Sequence, residues 1–160
     1  EENNTKTKKV YPHQIYRNAI PHCDEFEENG YTKEEMKLVN ETNKILNSNI
    51  SITATAVRLP ISGGHSESIN ITLENPFEIN DIKKIIQNAE GVVLEDNPFE
   101  NHYPMPLNSQ GKDDVYVGRV RIDNSCENSL NMWVVCDNLR KGAATNSIQI
   151  AEHLIKNKFV

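Results

Sequence analysis

An α+β fold, with helices packed on one largely antiparallel, mixed sheet, is what this sequence predicts. Three patterns predict it. Thr32, followed three positions on by Glu35, is the signature of a helix N-terminus. Ser68-Ile69-Asn70-Ile71-Thr72-Leu73 alternates polar and apolar residues, the period of a half-buried strand. Val115 to Ile122 and Leu130 to Cys136 are apolar runs of strand length, close together in the chain.

The remaining elements follow in order. Gln14 to Ala19 is expected to form a short first strand, ended by Pro21. In the helix that Thr32 caps, Tyr31 and Met36 are placed for a hydrophobic staple. Met36, Val39, Asn43 and Leu46 share one face. Glu34, Lys37, Glu41 and Lys44 share another, with opposite charges three or four residues apart. Ser51 to Leu59 is rich in Thr, Ile, Val and Ala and suits a strand, which Pro60-Ile61-Ser62-Gly63-Gly64 breaks. Asn80 is the expected cap of a second helix with an apolar stripe of Ile82, Ile85, Ile86 and Ala89, stopped near Gly91. Val92-Val93-Leu94 makes a short strand, and a loop carrying Pro98, Pro104 and Pro106 runs to Lys112. A last helix is expected from Leu139 to Lys156, with Ala144, Ile148, Ala151 and Ile155 along one face.

Composition excludes several classes. A chain of 160 residues suffices for one compact domain with a real core. The net charge of −6 argues against nucleic acid or another polyanion as the main partner. No apolar run reaches membrane-spanning length, and no secretory h-region opens the chain, so cytoplasm is the expected compartment. Glu1, in place of Met, and the polar run after it mark residues 1–10 as a tail or linker and suggest sequence removed upstream. Cys23, Cys126 and Cys136 are too few and too irregular for a disulfide framework, and no spacing suits zinc. No glycine-rich nucleotide-binding motif occurs, so the chain builds no nucleotide-binding domain by itself.

Read without any family, the chemistry is thin. Arg58-Leu59-Pro60-Ile61-Ser62-Gly63-Gly64-His65 is the most suggestive stretch. A strand would deliver Arg58 to its end, where a planar fork of donors suits a carboxylate or phosphate. His65, opening the next strand, is the side chain best able to give and take a proton near neutral pH. On these residues alone, a surface arginine and a turn histidine account for the segment better. Glu34 and Lys37 are by default a solvated ion pair, worth little. Cys136 sits in an apolar strand as a buried, inert thiol, and Trp133 suits a core anchor. Asn138-Leu139-Arg140-Lys141-Gly142-Ala143-Ala144 is unusual for a helix start, and its small residues allow close approach of a polar ligand group.

Several of these segments, in this order, resemble the aspartate-β-semialdehyde dehydrogenase family. They are Asn18-Ala19-Ile20-Pro21, Gly30-Tyr31-Thr32-Lys33-Glu34-Glu35-Met36-Lys37 and Glu41-Thr42-Asn43-Lys44-Ile45. Val57-Arg58-Leu59-Pro60, Gly64-His65-Ser66-Glu67-Ser68 and Tyr103-Pro104-Met105-Pro106 continue the series. Val115-Tyr116-Val117-Gly118-Arg119, Trp133-Val134-Val135, Asp137-Asn138-Leu139, Gly142-Ala143-Ala144 and Gln149-Ile150-Ala151-Glu152 complete it. Each piece is weak alone, but together they are specific, from about Tyr11 to the C-terminus.

The resemblance implies a fold like the C-terminal domain of glyceraldehyde-3-phosphate dehydrogenase. Residues 11–138 would be the substrate-binding and dimerisation domain, and 139–160 a helix returning to a nucleotide-binding domain. It implies interconversion of β-aspartyl phosphate and aspartate β-semialdehyde with NADP(H), on the route to lysine, threonine and methionine. His65 matches the acid/base histidine and Arg58 the arginine that grips the substrate carboxylate. Glu34, with Glu35 as its neighbour and rival, matches the acidic residue near the substrate amine. Lys37 matches the phosphate-binding lysine, and Asn138 lies in the cofactor-facing segment. The implied assembly is a homodimer, or a tetramer.

The departures are as informative. The family's nucleophilic cysteine stands in an Asn-Cys-Ser/Thr motif that none of the three cysteines occupies. Its substrate-binding glutamine and glycine-rich loop are not found either. This polypeptide alone is therefore expected to be inactive, the activity belonging to a parent enzyme. Two alternatives remain: a non-catalytic assembly paralogue, and a reductase of N-acetylglutamyl phosphate with the same architecture.

Overall fold

Thr32 sets the start of the first helix, α1 (Lys33–Leu46). The Glu35 N–H donates to Thr32 Oγ1 at 3.3 Å, and the Thr32 N–H donates to Glu35 Oε2 at 2.8 Å, the reciprocal box that the sequence predicts. The computed structural model describes residues 10–160, so the tail expected over 1–10 lies, apart from Val10, outside the described residues. The chain divides into two compact units, one ending at Ile61 and the other running from Ser62 to Val160.

In the first unit, Met36, Val39 and Asn43 are half-buried along α1, while Leu46 at its end is exposed. Asn43 is a polar member of that stripe because its amide is used. Its Nδ2 donates to the Ile50 carbonyl at 2.9 Å, and its Oδ1 accepts the Ile50 N–H at 2.7 Å. The two strands expected in this unit do not form. Arg17 adopts a φ of 56° within a turn that Asn18 closes onto Gln14 and Ile15, so Gln14 to Ala19 cannot run straight. Only Ile20 is left to pair, and it does so with Arg58 alone. The Ile20 N–H donates to the Arg58 carbonyl at 3.0 Å, and the Arg58 N–H donates to the Ile20 carbonyl at 2.8 Å. Ser51 to Leu59 has the composition of a strand but, among the described residues, no neighbouring strand to complete a ladder.

The second unit is built on β1 (His65–Thr72), β2 (Val92–Leu94), β3 (Val115–Ile122) and β4 (Ser129–Cys136) in the order β1-β4-β3-β2. β4 is antiparallel to both neighbours, and only β2 runs parallel to β3, so the sheet is mixed and largely antiparallel, as expected. Helix α2 (Ile79–Asn88) lays Ile79, Ile82 and Ile86 on a core of Val117, Val120 and Leu130. Its cap is Glu78 rather than Asn80, and Ile85 is 66% exposed. Inclusion of Ile79 at the start moves the stripe round the helix and turns Ile85 outward. Val117 and Val120 both reach the core although an odd spacing puts strand residues on opposite faces. A bulge between Gly118 and Arg121, with Arg119 at a φ of 54°, resets the alternation.

The proline loop contains a tight turn at Pro98–Glu100 and a short helix, α3 (Pro106–Ser109). It crosses the sheet at Gly118, where a Cβ would lie 2.2 Å from the Glu95 carbonyl oxygen and 2.5 Å from Pro104 Cδ. Trp133 Nε1 donates to the Pro104 carbonyl at 3.0 Å, so this tryptophan fastens the loop rather than anchoring the core. The last helix starts later than expected: a wide turn over Arg140–Ala144 precedes α4 (Thr145–Lys156). Ile148 and Ile155 on α4 are exposed, so the face expected to be buried is not covered within this unit. Among the described residues no helix is long and apolar enough to cross a membrane.

Candidate functional site

Glu34 and Glu35 are neighbours on α1 with different fates. Glu35 is 6% exposed and both its oxygens are in use, Oε2 by the Thr32 N–H and Oε1 by the Ala56 N–H at 2.8 Å. Those backbone donors, Thr32 foremost, hold its carboxyl below the usual range. Glu34 is half-exposed, and its Oε2 accepts from Lys37 Nζ at 3.2 Å. That bond raises the Lys37 ammonium above its ordinary pKa.

Arg58 belongs to the same unit. Its guanidinium stands 5.4 Å from the centroid of the Tyr11 ring and has no ion-pair partner among the described residues. Burial raises the Cys23 thiol, Arg58 opposes that rise, and Glu34 and Glu35 add to it. Arg58 and Glu34 thus lie within electrostatic reach of a common point. An unpaired guanidinium near a carboxylate–ammonium pair suits a ligand that carries charges of both signs. Sequence reasoning found these residues but not Tyr11, whose ring gives the Arg58 head a face to rest on.

His65 and Asn138 belong to the second unit, at the same end of the β1–β4 pair. His65 is the first residue of β1, exposed, and opposite Cys136. Gly63 and Gly64, at φ of 76° and 71°, turn the chain onto the strand, a conformation two successive side chains would strain. At Gly64 a Cβ would also come within 3.2 Å of Pro106 Cβ. Burial, with Glu67 and Asp137, raises the Cys136 thiol, so it stays protonated at neutral pH and is a poor nucleophile.

Asn138, two residues past β4, is half-buried, and its side-chain amide makes no hydrogen bond among the described residues. Exposed Gly142, Ala143 and Ala144 lie beside it, and a Cβ on Gly142 would stand 3.8 Å from Asn138 Cβ. An open amide over a low surface can receive a polar group. The structure thus groups Glu34, Lys37 and Arg58 in one unit, and His65 with Asn138 in the other.

The chain is similar to proteins of known identity. An aspartate-semialdehyde dehydrogenase of Aquifex aeolicus is 51% identical over 151 residues, which span 94% of this chain and 44% of that protein. Aspartate semialdehyde dehydrogenase II from Vibrio cholerae, in a crystal structure complexed with ASA, superposes with a TM-score of 0.88 at 42% identity, covering 93% of this chain and 44% of the other. The Candida albicans enzyme, solved with NADP, gives a TM-score of 0.72 at 26% identity, over 91% of this chain and 46% of that one. The chain therefore spans less than half the length of the relatives it matches. A family model described as the dimerisation domain of semialdehyde dehydrogenase matches residues 1–141, and this chain belongs to that family.

Proposed function

We propose that this chain is the substrate-binding, dimer-forming part of an NADP-dependent aspartate-semialdehyde dehydrogenase. The reaction reduces β-aspartyl phosphate to aspartate β-semialdehyde and releases phosphate, in the cytoplasm, on the route to lysine, threonine and methionine. One observation carries the reading: half the residues are identical to a named aspartate-semialdehyde dehydrogenase along nearly the whole chain. The relatives found favour the aspartyl substrate over N-acetylglutamyl phosphate, and the retained Arg58, Glu34, Lys37 and His65 speak against a purely architectural role.

Each proposed residue has a chemical reason. The Arg58 fork takes the substrate α-carboxylate, and Glu34, whose carboxylate is not consumed by the cap, holds its ammonium. Lys37 offers a point charge to the phosphate once the exposed bond to Glu34 is shared with the ligand. His65, at the mouth of a glycine turn, gives and takes the proton. The open Asn138 amide would hold a polar edge of the cofactor, and the reduced form, NADPH, would supply the hydride. Residues 139–160 lead back toward the nucleotide-binding half that longer relatives have room for. Thiol attack on the acyl phosphate likewise needs a cysteine beyond these three, in sequence this chain does not span. The assembly is a homodimer, or a tetramer of such dimers.

The test is phosphate-dependent reduction of NADP⁺ by the complete enzyme, offered aspartate β-semialdehyde or N-acetylglutamate semialdehyde. Turnover of the aspartate compound alone is expected. Preference for the N-acetylated one would overturn the assignment.

A further inference from the structure

Asp137 is one of the few buried charged residues, 6% exposed, and nothing in the proposed chemistry uses it. Its carboxylate is saturated by backbone. Oδ2 accepts the Gly111 N–H at 2.7 Å, and Oδ1 accepts the N–H groups of Leu139 at 2.9 Å and Arg140 at 3.2 Å. Its own carbonyl accepts from Arg140 at 3.2 Å and Lys141 at 2.9 Å. Asn138 is therefore enclosed in a turn that one side chain holds from within and ties to the loop after α3.

A second clamp grips the same turn from outside. Arg140 donates through Nε to Asp113 Oδ1 at 2.7 Å and through Nη2 to Oδ2 at 2.8 Å, and Thr145 Oγ1 donates to Oδ1 at 2.6 Å. Between these points the chain takes the wide turn Arg140–Ala144 instead of regular helix. Wider turns of this kind recur at functional sites. A turn held at both ends, directly after a residue whose amide is left open, is the architecture of a presented ligand contact rather than of a frayed helix start.

We infer that Asp137 is a positioning residue for the cofactor: by holding the Leu139, Arg140 and Gly111 amides it fixes the direction in which Asn138 presents its amide. This rests on the reading of Asn138 as a cofactor contact. Backbone donors, Gly111 first, also hold the Asp137 carboxyl below its usual range, so the anion is the form that does this at neutral pH.

The experiment uses the complete enzyme and three readouts: the NADPH dissociation constant by fluorescence, the KM for the aspartyl substrate, and hydrogen exchange at residues 139 and 140 of the cofactor-free protein. Asp137→Asn loses the charge and turns one acceptor oxygen into an NH2 donor facing a backbone N–H, so NADPH should bind about tenfold more weakly. The aspartyl KM should stay within a factor of about two, and both amides should exchange faster. Asp137→Ser, which keeps an acceptor for the nearer amides but cannot reach Gly111, gives the same measurement should the first variant not fold. Faster exchange with unchanged NADPH affinity overturns the inference, as does an equal loss for both ligands, which marks a general structural role. Asn138→Ala separates the two levels: if it leaves NADPH affinity unchanged, the reading of Asn138 and this inference fall together. If it weakens binding while the Asp137 variants do not, the inference alone falls.

Discussion

Glu35 Oε1 accepts the N–H of Ala56 at 2.8 Å, tying the start of α1 to the segment that leads into Arg58. The same carboxylate closes the cap at Thr32, so one buried side chain holds two pieces of the candidate substrate site. Glu35→Gln should therefore lower the thermal midpoint by several degrees and raise the substrate KM only as a consequence. Glu34→Gln should leave the midpoint nearly unchanged and weaken substrate binding directly. Paired melting curves and kinetics on the complete enzyme check this, and the opposite pattern would exchange the two roles.

His65 begins a strand after a double-glycine turn and is exposed. His65→Asn should lower kcat by about 10²- to 10⁴-fold, the usual worth of general acid–base help, with substrate affinity nearly intact. A kcat within a few-fold of the parent removes His65 from the proton path.

Arg58 should respond differently, because the carboxylate grip proposed for it would act in ground and transition state alike. Arg58→Lys keeps the charge but loses the planar fork and its face against Tyr11. The KM for the aspartyl substrate should rise about tenfold or more, the worth of a charge-assisted bidentate contact, while that for NADPH barely moves. Unchanged substrate kinetics would exclude a carboxylate contact.

What could be read from sequence was what is local. The capping box at Thr32 and Glu35, the alternation in Ser68 to Leu73, and the two apolar runs at 115 and 130 all became the elements expected. What was lost needed a partner. Ser51 to Leu59 is strand-like in composition, but a strand exists only where another lies beside it, and Arg17 removes that neighbour by turning the chain. The bulge at Arg119 and the wide turn after Asn138 are equally invisible to periodicity, since each is a break in it. Glu34 and Glu35 could not be ranked without knowing that Ala56 claims one of them.

Asp113 links acid stability to the turn that carries Asn138. Hydrogen bonds from Arg140 and Thr145 hold its carboxyl down to about 2 from the ordinary 3.8. A carboxylate depressed on folding stabilises above its unfolded pKa, and that contribution is lost as pH falls through the folded one. The parent chain should therefore lose stability between about pH 4 and pH 2 through this group, and Asp113→Asn should flatten the fall in that window. Denaturant midpoints measured across the range check it, and parallel curves for the two proteins would count against the linkage.

Apolar side chains remain uncovered within each unit of the chain. On the second unit Ile148, Ile150 and Ile155 of α4 are each more than half exposed, and a hollow of about 400 Å³ lies on the sheet between Ser68, Tyr103, Met105, Arg121 and Trp133. A single copy leaves the hollow on the sheet to water, and two-fold pairing of identical surfaces is the commonest way of burying such a patch. The chain by itself, spanning less than half the length of the relatives it matches, should be a homodimer, should bind NADPH weakly or not at all, and should show no dehydrogenase activity. Met105 lines the hollow and is 41% exposed, so Met105→Asp spares the core of the unit. The buried charge it brings to a paired surface should weaken self-association by about tenfold or more. Sedimentation equilibrium of both proteins, with NADPH titration followed by fluorescence, reads each part separately. A stable monomer at tens of micromolar would refute pairing through this surface, and tight NADPH binding would refute the proposed division of labour.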